Sequence, residues 1–106
     1  MSGPEAKLQK KIRKKLLEEV GGWWIKIHGA PYQKRGLPDL HGIVEGLGIW
    51  IEVKVPSKEK EGLTKLQEQC IEDIVEEGGG LSFVTSSPEH SVETVRKYLS
   101  QKRPRR

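Results

Sequence analysis

The sequence lacks the features expected of a secreted, disulfide-stabilised or membrane-spanning protein. It contains one cysteine, Cys70, so no disulfide can form within the chain, which fits a reducing compartment. No segment approaches the roughly 20 apolar residues that a membrane span requires. The lysines near the N-terminus are not followed by an apolar run, which argues against a secretory signal. We therefore expect an intracellular protein without a membrane partner.

Hydrophobic residues make up only 34% of the 106 residues, which allows one modest core. Three tryptophans and many Ile, Leu and Val residues argue against disorder. We expect a single domain over residues 1–100 and a basic C-terminal tail over residues 101–106.

Charge is unevenly distributed along the chain. Residues 1–35 carry nine Lys/Arg against three Glu, a balance of +6. Residues 36–80 carry four against ten acidic residues, a balance of −6, and residues 81–106 carry six against two, a balance of +4. Basic segments attract polyphosphates, and carboxylates in such a protein make sense where they hold a cation. Solvated surfaces and a basic tail explain the same pattern equally well.

The hydrophobic pattern predicts an α/β fold with the order α-β-β-β-α-β-α and one mixed four-stranded sheet flanked by helices. A first helix is expected from Pro4 to Val20, with Ser2 as its capping residue. The remaining predicted elements are strands at 23–28, 40–44 and 49–55, a charged loop at 56–62, a helix opened by Thr64 and Gln67, a strand at 81–85, and a last helix that starts at 87–88. The helix after Thr64 is expected to bury a stripe of Leu66, Cys70, Ile71, Ile74 and Val75.

The segment 49–55 is the clearest strand, and its alternation places Glu52 and Lys54 on one face. The two side chains are then about 6–7 Å apart along the strand. Asp39 stands at the start of the preceding strand, and a return through Gly46 and Gly48 can bring it beside Glu52. The sequence therefore predicts two carboxylates and one ammonium group at one place on a rigid sheet.

Two converging carboxylates in a basic protein suggest a site for a hard cation. Mg²⁺ prefers oxygen ligands in octahedral geometry at about 2.0–2.1 Å and keeps several waters, and Mn²⁺ is a possible alternative. Such an ion polarises a phosphoryl oxygen and lowers the pKa of bound water. A lysine in the cluster can orient the attacking water and offset charge in the transition state. Phosphodiester hydrolysis needs these groups.

Each part of this pattern has an ordinary structural explanation. Glu52 and Lys54 can form a salt bridge on an edge strand, and the pair Pro38-Asp39 is a common turn sequence. The three histidines lack metal-binding spacing, and with one cysteine a zinc site is not expected. Of the three, only His41 is close enough to Asp39 in sequence to lie near the site, and a surface or core role is more common for such a residue.

Three motifs in order, at 36–40, 51–54 and 63–67, resemble the pattern of the VRR-NUC (virus-type replication-repair nuclease) domain of the PD-(D/E)XK nuclease superfamily. The match extends to Glu5 and to the loop 29–36, and it covers nearly the whole chain. The resemblance implies a restriction-endonuclease-like core, a stand-alone domain of phage or bacterial type, and a cytoplasmic location in a bacterium or phage-infected cell.

The resemblance also implies roles for individual residues. Asp39 and Glu52 would bind the metal through carboxylates, the backbone carbonyl of Val53 would be a further ligand, and Lys54 would be the catalytic lysine. Glu5 would reach the metal directly or through water. Gln67 would lie near the catalytic site or the DNA. Glu5 and Gln67 also occupy the third position of two predicted capping boxes, which explains them without catalysis.

The function implied is a metal-dependent endonuclease for structured DNA, with branched DNA such as Holliday junctions favoured. The alternatives are a restriction-like or single-strand-trimming nuclease and a non-catalytic nucleic-acid-binding module. One site per 12.0 kDa chain does not easily cut two strands symmetrically, so we expect a two-fold homodimer. The residues expected to contact the DNA backbone are Tyr32, Gln33, Lys34, Arg35, Lys10, Lys11 and Lys14, with Lys15 extending the same track.

Overall fold

The computed structural model describes residues 3–29 and 34–102, apart from the side chain of Glu59. It has the expected α/β architecture, with the order α-β-β-β-α-β-α and a mixed four-stranded sheet, and it is compatible with a restriction-endonuclease-like core. Its elements are α1 (Pro4–Glu19), β1 (Trp23–Lys26), β2 (Leu40–Val44), β3 (Leu47–Val53), a 3-10 helix (Pro56–Glu61), α2 (Lys65–Glu76), β4 (Leu81–Thr85) and α3 (Pro88–Lys102).

The strands lie in the order β1-β2-β3-β4, so chain order and spatial order agree. β1, β2 and β3 pair antiparallel, whereas β3 and β4 pair parallel and are joined by the crossover that contains α2. In β2, Leu40 lies opposite Ile51 of β3. Asp39 therefore comes next to Glu52 at the end of this strand pair.

The core lies between one face of the sheet, here called the inner face, and the helices α1 and α3. On β3, Ile49, Ile51 and Val53 are each 0% exposed because they point into this layer. Trp24 of β1 is buried over Gly42 of β2, and a Cβ at Gly42 would collide with the Trp24 ring. The other core residues are Ile12, Leu16, Leu40, Val44, Val92, Val95, Tyr98 and Leu99.

The opposite side of the sheet, here called the outer face, is covered mainly along β4 by α2. Trp23 and Ile43 on this face are 55% and 43% exposed. His41 stacks on Trp50 with ring centroids 3.8 Å apart, and its Nδ1 donates to the Ile49 carbonyl at 3.0 Å. His41 is therefore held by packing and a backbone contact.

Several predicted boundaries were wrong. The N-cap of α1 is Gly3, without a side-chain cap hydrogen bond, because Pro4 takes the first helical position; Ser2 lies outside the described residues. β1 ends at Lys26 and β3 runs from Leu47 to Val53, two residues earlier than predicted. The charged segment after β3 is a 3-10 helix.

The predicted burial of α2 was also partly wrong. Cys70 is buried, but Leu66 and Val75 are 55% and 44% exposed, because this helix covers only one edge of the sheet. The C-terminal helix continues to Lys102, beyond the predicted start of the tail, and residues 103–106 lie outside the described part. Within the described ranges, no helix combines the length and apolar character needed to cross a lipid bilayer.

Candidate active site

Asp39 is fixed at the point where the chain enters β2. Its backbone carbonyl accepts a hydrogen bond from the Ile27 N–H at 2.7 Å, and its side-chain Oδ2 accepts one from the Val53 N–H at 2.8 Å. Gly36 precedes it with φ of +85°, and a Cβ there would lie 2.6 Å from the Leu66 carbonyl oxygen. This glycine therefore lets the loop before Asp39 pass close to the start of α2.

Glu52 points to the outer face of β3, yet it is only 4% exposed. Its Oε2 accepts a hydrogen bond from Gln67 Nε2 at 3.2 Å. The carboxyl groups of Glu52 and Asp39 are also close enough for each to shift the pKa of the other. The two carboxylates predicted to converge therefore lie side by side.

Burial raises the pKa of Glu52 to about 8, with a further increase from the charge of Asp39 and a decrease from Lys54. Burial also raises the pKa of Asp39, against the hydrogen bond from Val53, which lowers it. Two carboxylates this close are not readily both charged, so they hold a proton between them at neutral pH in the absence of a cation. A divalent cation would replace that proton.

The oxygen donors present fit a magnesium-type ion better than a softer metal. Within residues 3–29 and 34–102, however, no group of three His, Cys, Asp or Glu side chains is close enough to hold a metal. The protein thus offers two carboxylates, and the other positions of an octahedral ion would be filled by water, substrate or a backbone carbonyl. The carbonyl of Val53 remains a predicted ligand.

Lys54 lies just beyond β3, where its N–H donates to the Thr85 carbonyl at 3.0 Å. It lines a cavity of about 390 Å³ together with Leu63, Thr85 and His90. The described residues show no ion pair between Lys54 and Glu52, and β3 is a central strand. The edge-strand salt bridge does not account for this pair.

Gln67 takes part in the capping box and also contacts Glu52. Its Oε1 accepts from the Thr64 N–H at 2.9 Å, and its own N–H donates to Thr64 Oγ1 at 3.1 Å, which completes the capping box of α2. The Nε2 of the same amide donates to Glu52. One side chain therefore connects the helix cap to the buried carboxylate.

Glu5 lies in the first turn of α1 and raises the pKa of both Asp39 and Glu52 through its charge. Because Gly3 is the N-cap, Glu5 is not the third residue of a capping box, and this structural explanation for it was wrong. Its carboxylate acts on the pair electrostatically. Direct contact with a metal remains a prediction.

The residues predicted to contact DNA are distributed over two sides of Asp39. Lys34 and Arg35 are exposed and line a 320 Å³ pocket that also includes Asp39. Lys10 lines a separate pocket between α1 and β1. Lys11 and Lys14 are exposed on α1, and Lys15 is paired with Glu19 at 2.7 Å. Tyr32 and Gln33 fall outside the described residues.

Sequence reasoning missed Lys26, whose charge lowers the pKa of Asp39. It also missed Gln9, which is buried on α1, and His90, which lines the cavity beside Lys54. The pairing of β1 with β2 places Lys26, α1 places Gln9, and the start of α3 places His90 beside Thr85. The sequence offers one signal for Lys26. It is a basic residue on β1, the predicted strand before β2, and Asp39 directly precedes β2.

Comparison of the sequence with models of known protein families gave no match, and comparison with curated proteins gave none. The resemblance to the VRR-NUC domain therefore depends on the residues of the three motifs.

Proposed function

We propose that this protein is a metal-dependent nuclease that hydrolyses phosphodiester bonds in DNA. The observation that carries the proposal is the half-buried carboxyl group of Asp39 beside the buried one of Glu52, with Lys54 next to them and free of any ion pair among the described residues. Burying a carboxylate beside a second one is costly, so a fold that keeps the two together is best explained by a cation.

Asp39 and Glu52 would hold the ion, which supplies Lewis-acid stabilisation of the phosphoryl group and a more acidic bound water. Gln67 keeps the Glu52 carboxylate in place through its Nε2 hydrogen bond. Lys54 donates hydrogen bonds to the attacking water or to the phosphate oxygens and offsets negative charge in the transition state. Val53 fixes the Asp39 carboxylate from the backbone.

The proposed substrate is structured DNA, with four-way junctions favoured. Lys34 and Arg35 stand beside Asp39 on one side, and Lys26 and Lys10 lie on the other. Cations in these positions contact phosphates, which gives affinity and orientation but no base readout. This arrangement supports recognition of DNA shape.

The test is a cleavage assay with labelled four-way junctions, flaps, duplexes and single strands, each with Mg²⁺, Mn²⁺ or chelator. We expect metal-dependent cutting, with the four-way junction cut fastest. Lys54→Ala should lower the rate by about 10²–10³-fold while binding in chelator is retained. Lys97→Ala, an exposed lysine on α3, is the matched control and should cut normally. Failure to cut any substrate with either metal would contradict the proposal.

The second candidate is a nucleic-acid-binding module without catalysis. It is favoured by the absence of a three-carboxylate group among the described residues. In that case DNA binding would be the same with Mg²⁺ and with chelator, and Glu52→Gln would not weaken it.

We also propose that the active species is a two-fold homodimer, because symmetrical cutting of two strands needs two sites. Sedimentation velocity under cleavage conditions should show a species of twice 12.0 kDa. Cleavage of both strands by a protein that sediments only as a monomer would contradict the dimer.

A further inference from the structure

A second pocket lies between α1 and β1, beside the carboxyl pair. It has a volume of about 300 Å³ and is lined by Ala6, Gln9, Lys10, Arg13, Lys26, His28 and Leu40. Leu40 directly follows Asp39, and the charge of Lys26 lowers the pKa of Asp39. The pocket is therefore adjacent to the candidate active site.

Gln9 is the unusual residue in this pocket. Its side chain is 6% exposed, and its Oε1 is buried with no hydrogen-bond partner in the described part of the chain. Buried polar atoms are nearly always satisfied, because an unmade hydrogen bond costs free energy. An aliphatic side chain would pack here without that cost. The orphaned acceptor is available to a hydrogen-bond donor of a ligand in this pocket once the side chain turns toward it.

The rest of the lining indicates that the same ligand carries negative charge. Lys10, Lys26 and Arg13 are exposed cations at this pocket. Arg13 uses its Nε to donate to the Trp24 carbonyl at 3.1 Å, which holds the side chain along β1 and leaves the outer guanidinium nitrogens available. The described residues place no carboxylate in the lining of this pocket.

The spacing along α1 connects the pocket to the site. Glu5, Gln9 and Arg13 follow one another at intervals of four residues, so they share one face of the helix. The Cβ atoms of helix residues four positions apart are about 5–6 Å from each other. This distance is on the order of one to two nucleotide steps along a DNA strand. A strand whose cleaved phosphate lies at Asp39 would therefore reach the pocket with a neighbouring nucleotide.

We infer that this pocket binds one nucleotide of the substrate strand, with its phosphate against Lys10, Arg13 and Lys26 and a donor of its base or sugar against Gln9 Oε1. The identity of the ligand rests on the proposed nuclease function. Inorganic phosphate also carries an O–H donor, so a direct comparison of the two ligands has to separate them. Every nucleobase carries an N–H donor, so this contact does not require a particular base.

The test is a titration of the ¹⁵N-labelled full chain with deoxyadenosine 5′-monophosphate in chelator, followed by NMR. We expect saturable shifts of the Gln9 side-chain amide and of backbone amides in α1 and β1. Gln9→Met should weaken binding by about tenfold without lowering the melting temperature, because the lost acceptor has no partner within the protein. Lys26→Met should also weaken binding, whereas Lys97→Met should not.

Parallel titrations with inorganic phosphate and with deoxyribose 5-phosphate identify the donor. Weaker binding of both than of the nucleotide assigns the Gln9 contact to the base, and equal binding of the sugar phosphate assigns it to the sugar. The inference is overturned if inorganic phosphate binds as tightly as the nucleotide. Unchanged binding by both Gln9→Met and Lys26→Met, or the lack of saturable shifts at the pocket, would overturn it as well.

These results are separable from those on the proposed function. If the protein cuts DNA but does not bind the nucleotide at this pocket, only the inference about the pocket is contradicted. If the protein binds the nucleotide through Gln9 but cuts no DNA with any metal, only the nuclease proposal is contradicted.

Discussion

The two faces of β3 are built from alternate residues of one strand, but they bury side chains of different chemistry. On the inner face, Ile49, Ile51 and Val53 are completely buried among apolar side chains. On the outer face, Glu52 is buried almost as fully, beside a second carboxyl group. The inner face gains free energy from burial, whereas the outer face loses it. The inner face therefore stabilises the protein, and the outer face is where we propose the chemistry takes place.

The largest effect is expected from Glu52→Gln on the outer face. The amide keeps the shape but removes the charge that would bind the cation, so the cleavage rate should fall by about 10²–10³-fold. The melting temperature should stay the same or rise, because the amide carries no charge that has to be neutralised when it is buried beside Asp39. A cleavage time course and a thermal melt of the same sample measure both. A large loss of stability would show that Glu52 belongs to the structural core instead.

The opposite result is expected one residue earlier, on the inner face. Ile51→Ala should lower the free energy of unfolding by about 2–5 kcal/mol, since Ile51 is fully buried and its loss leaves a cavity. Urea denaturation measures this change. The matched control is Ile43→Ala on the outer face, where the side chain is 43% exposed and the loss should be well under half as large. Equal losses at the two positions would remove the contrast between the faces.

The pH dependence of stability sharpens the same comparison. The pKa of Glu52 is raised from the ordinary value of 4.5 to about 8, so in this window the folded protein binds more protons than the unfolded chain. The free energy of unfolding should therefore fall as pH rises from about 4.5 to about 8 in chelator. Thermal melts across this range measure the fall, and Glu52→Gln should flatten it.

Added Mg²⁺ should reverse the loss at pH 8, because a bound cation stabilises the charged pair. A wild-type melting curve that does not change with pH, or with Mg²⁺ at pH 8, would contradict this account of the carboxyl pair.

The smallest effect is expected at the cap of α2. Thr64→Ala removes the oxygen that accepts from the Gln67 N–H, and should lower the free energy of unfolding by about 1 kcal/mol. Because Gln67 also holds Glu52, the cleavage rate should fall a few-fold. Thr64→Ser keeps the acceptor and is the control. An unchanged rate in Thr64→Ala would show that the cap and the site are independent.

The parts of the fold that local patterns determine were predictable from sequence. The alternation along β3 predicted which residues face the core, and the Thr64–Gln67 pair predicted the start of α2. The proximity of Asp39 and Glu52 was also predictable, because a short return between two strands brings these positions together.

The features that depend on tertiary packing, such as the burial of α2 and the position of Lys26, were not predictable from sequence. The apolar spacing of α2 suggested a buried stripe, but Leu66 and Val75 are exposed because the helix covers only one edge of the sheet. Lys26 and Gln9 have no motif around them, and they come close to the site only through strand pairing and the position of α1. Their roles depend on neighbours that are distant in sequence.

The Gln67 side-chain amide contacts both Thr64 and Glu52, and this limits where the chain between β3 and α2 can be lengthened. The register of α2 is fixed from its first turn by two contacts, one to Thr64 and one to Glu52. The 3-10 segment at 56–61 lies between these anchored points and is mostly exposed, so its length can change without moving either. It is thus a suitable place to insert a new segment, whereas an insertion between Thr64 and Gln67 would separate the start of α2 from Glu52.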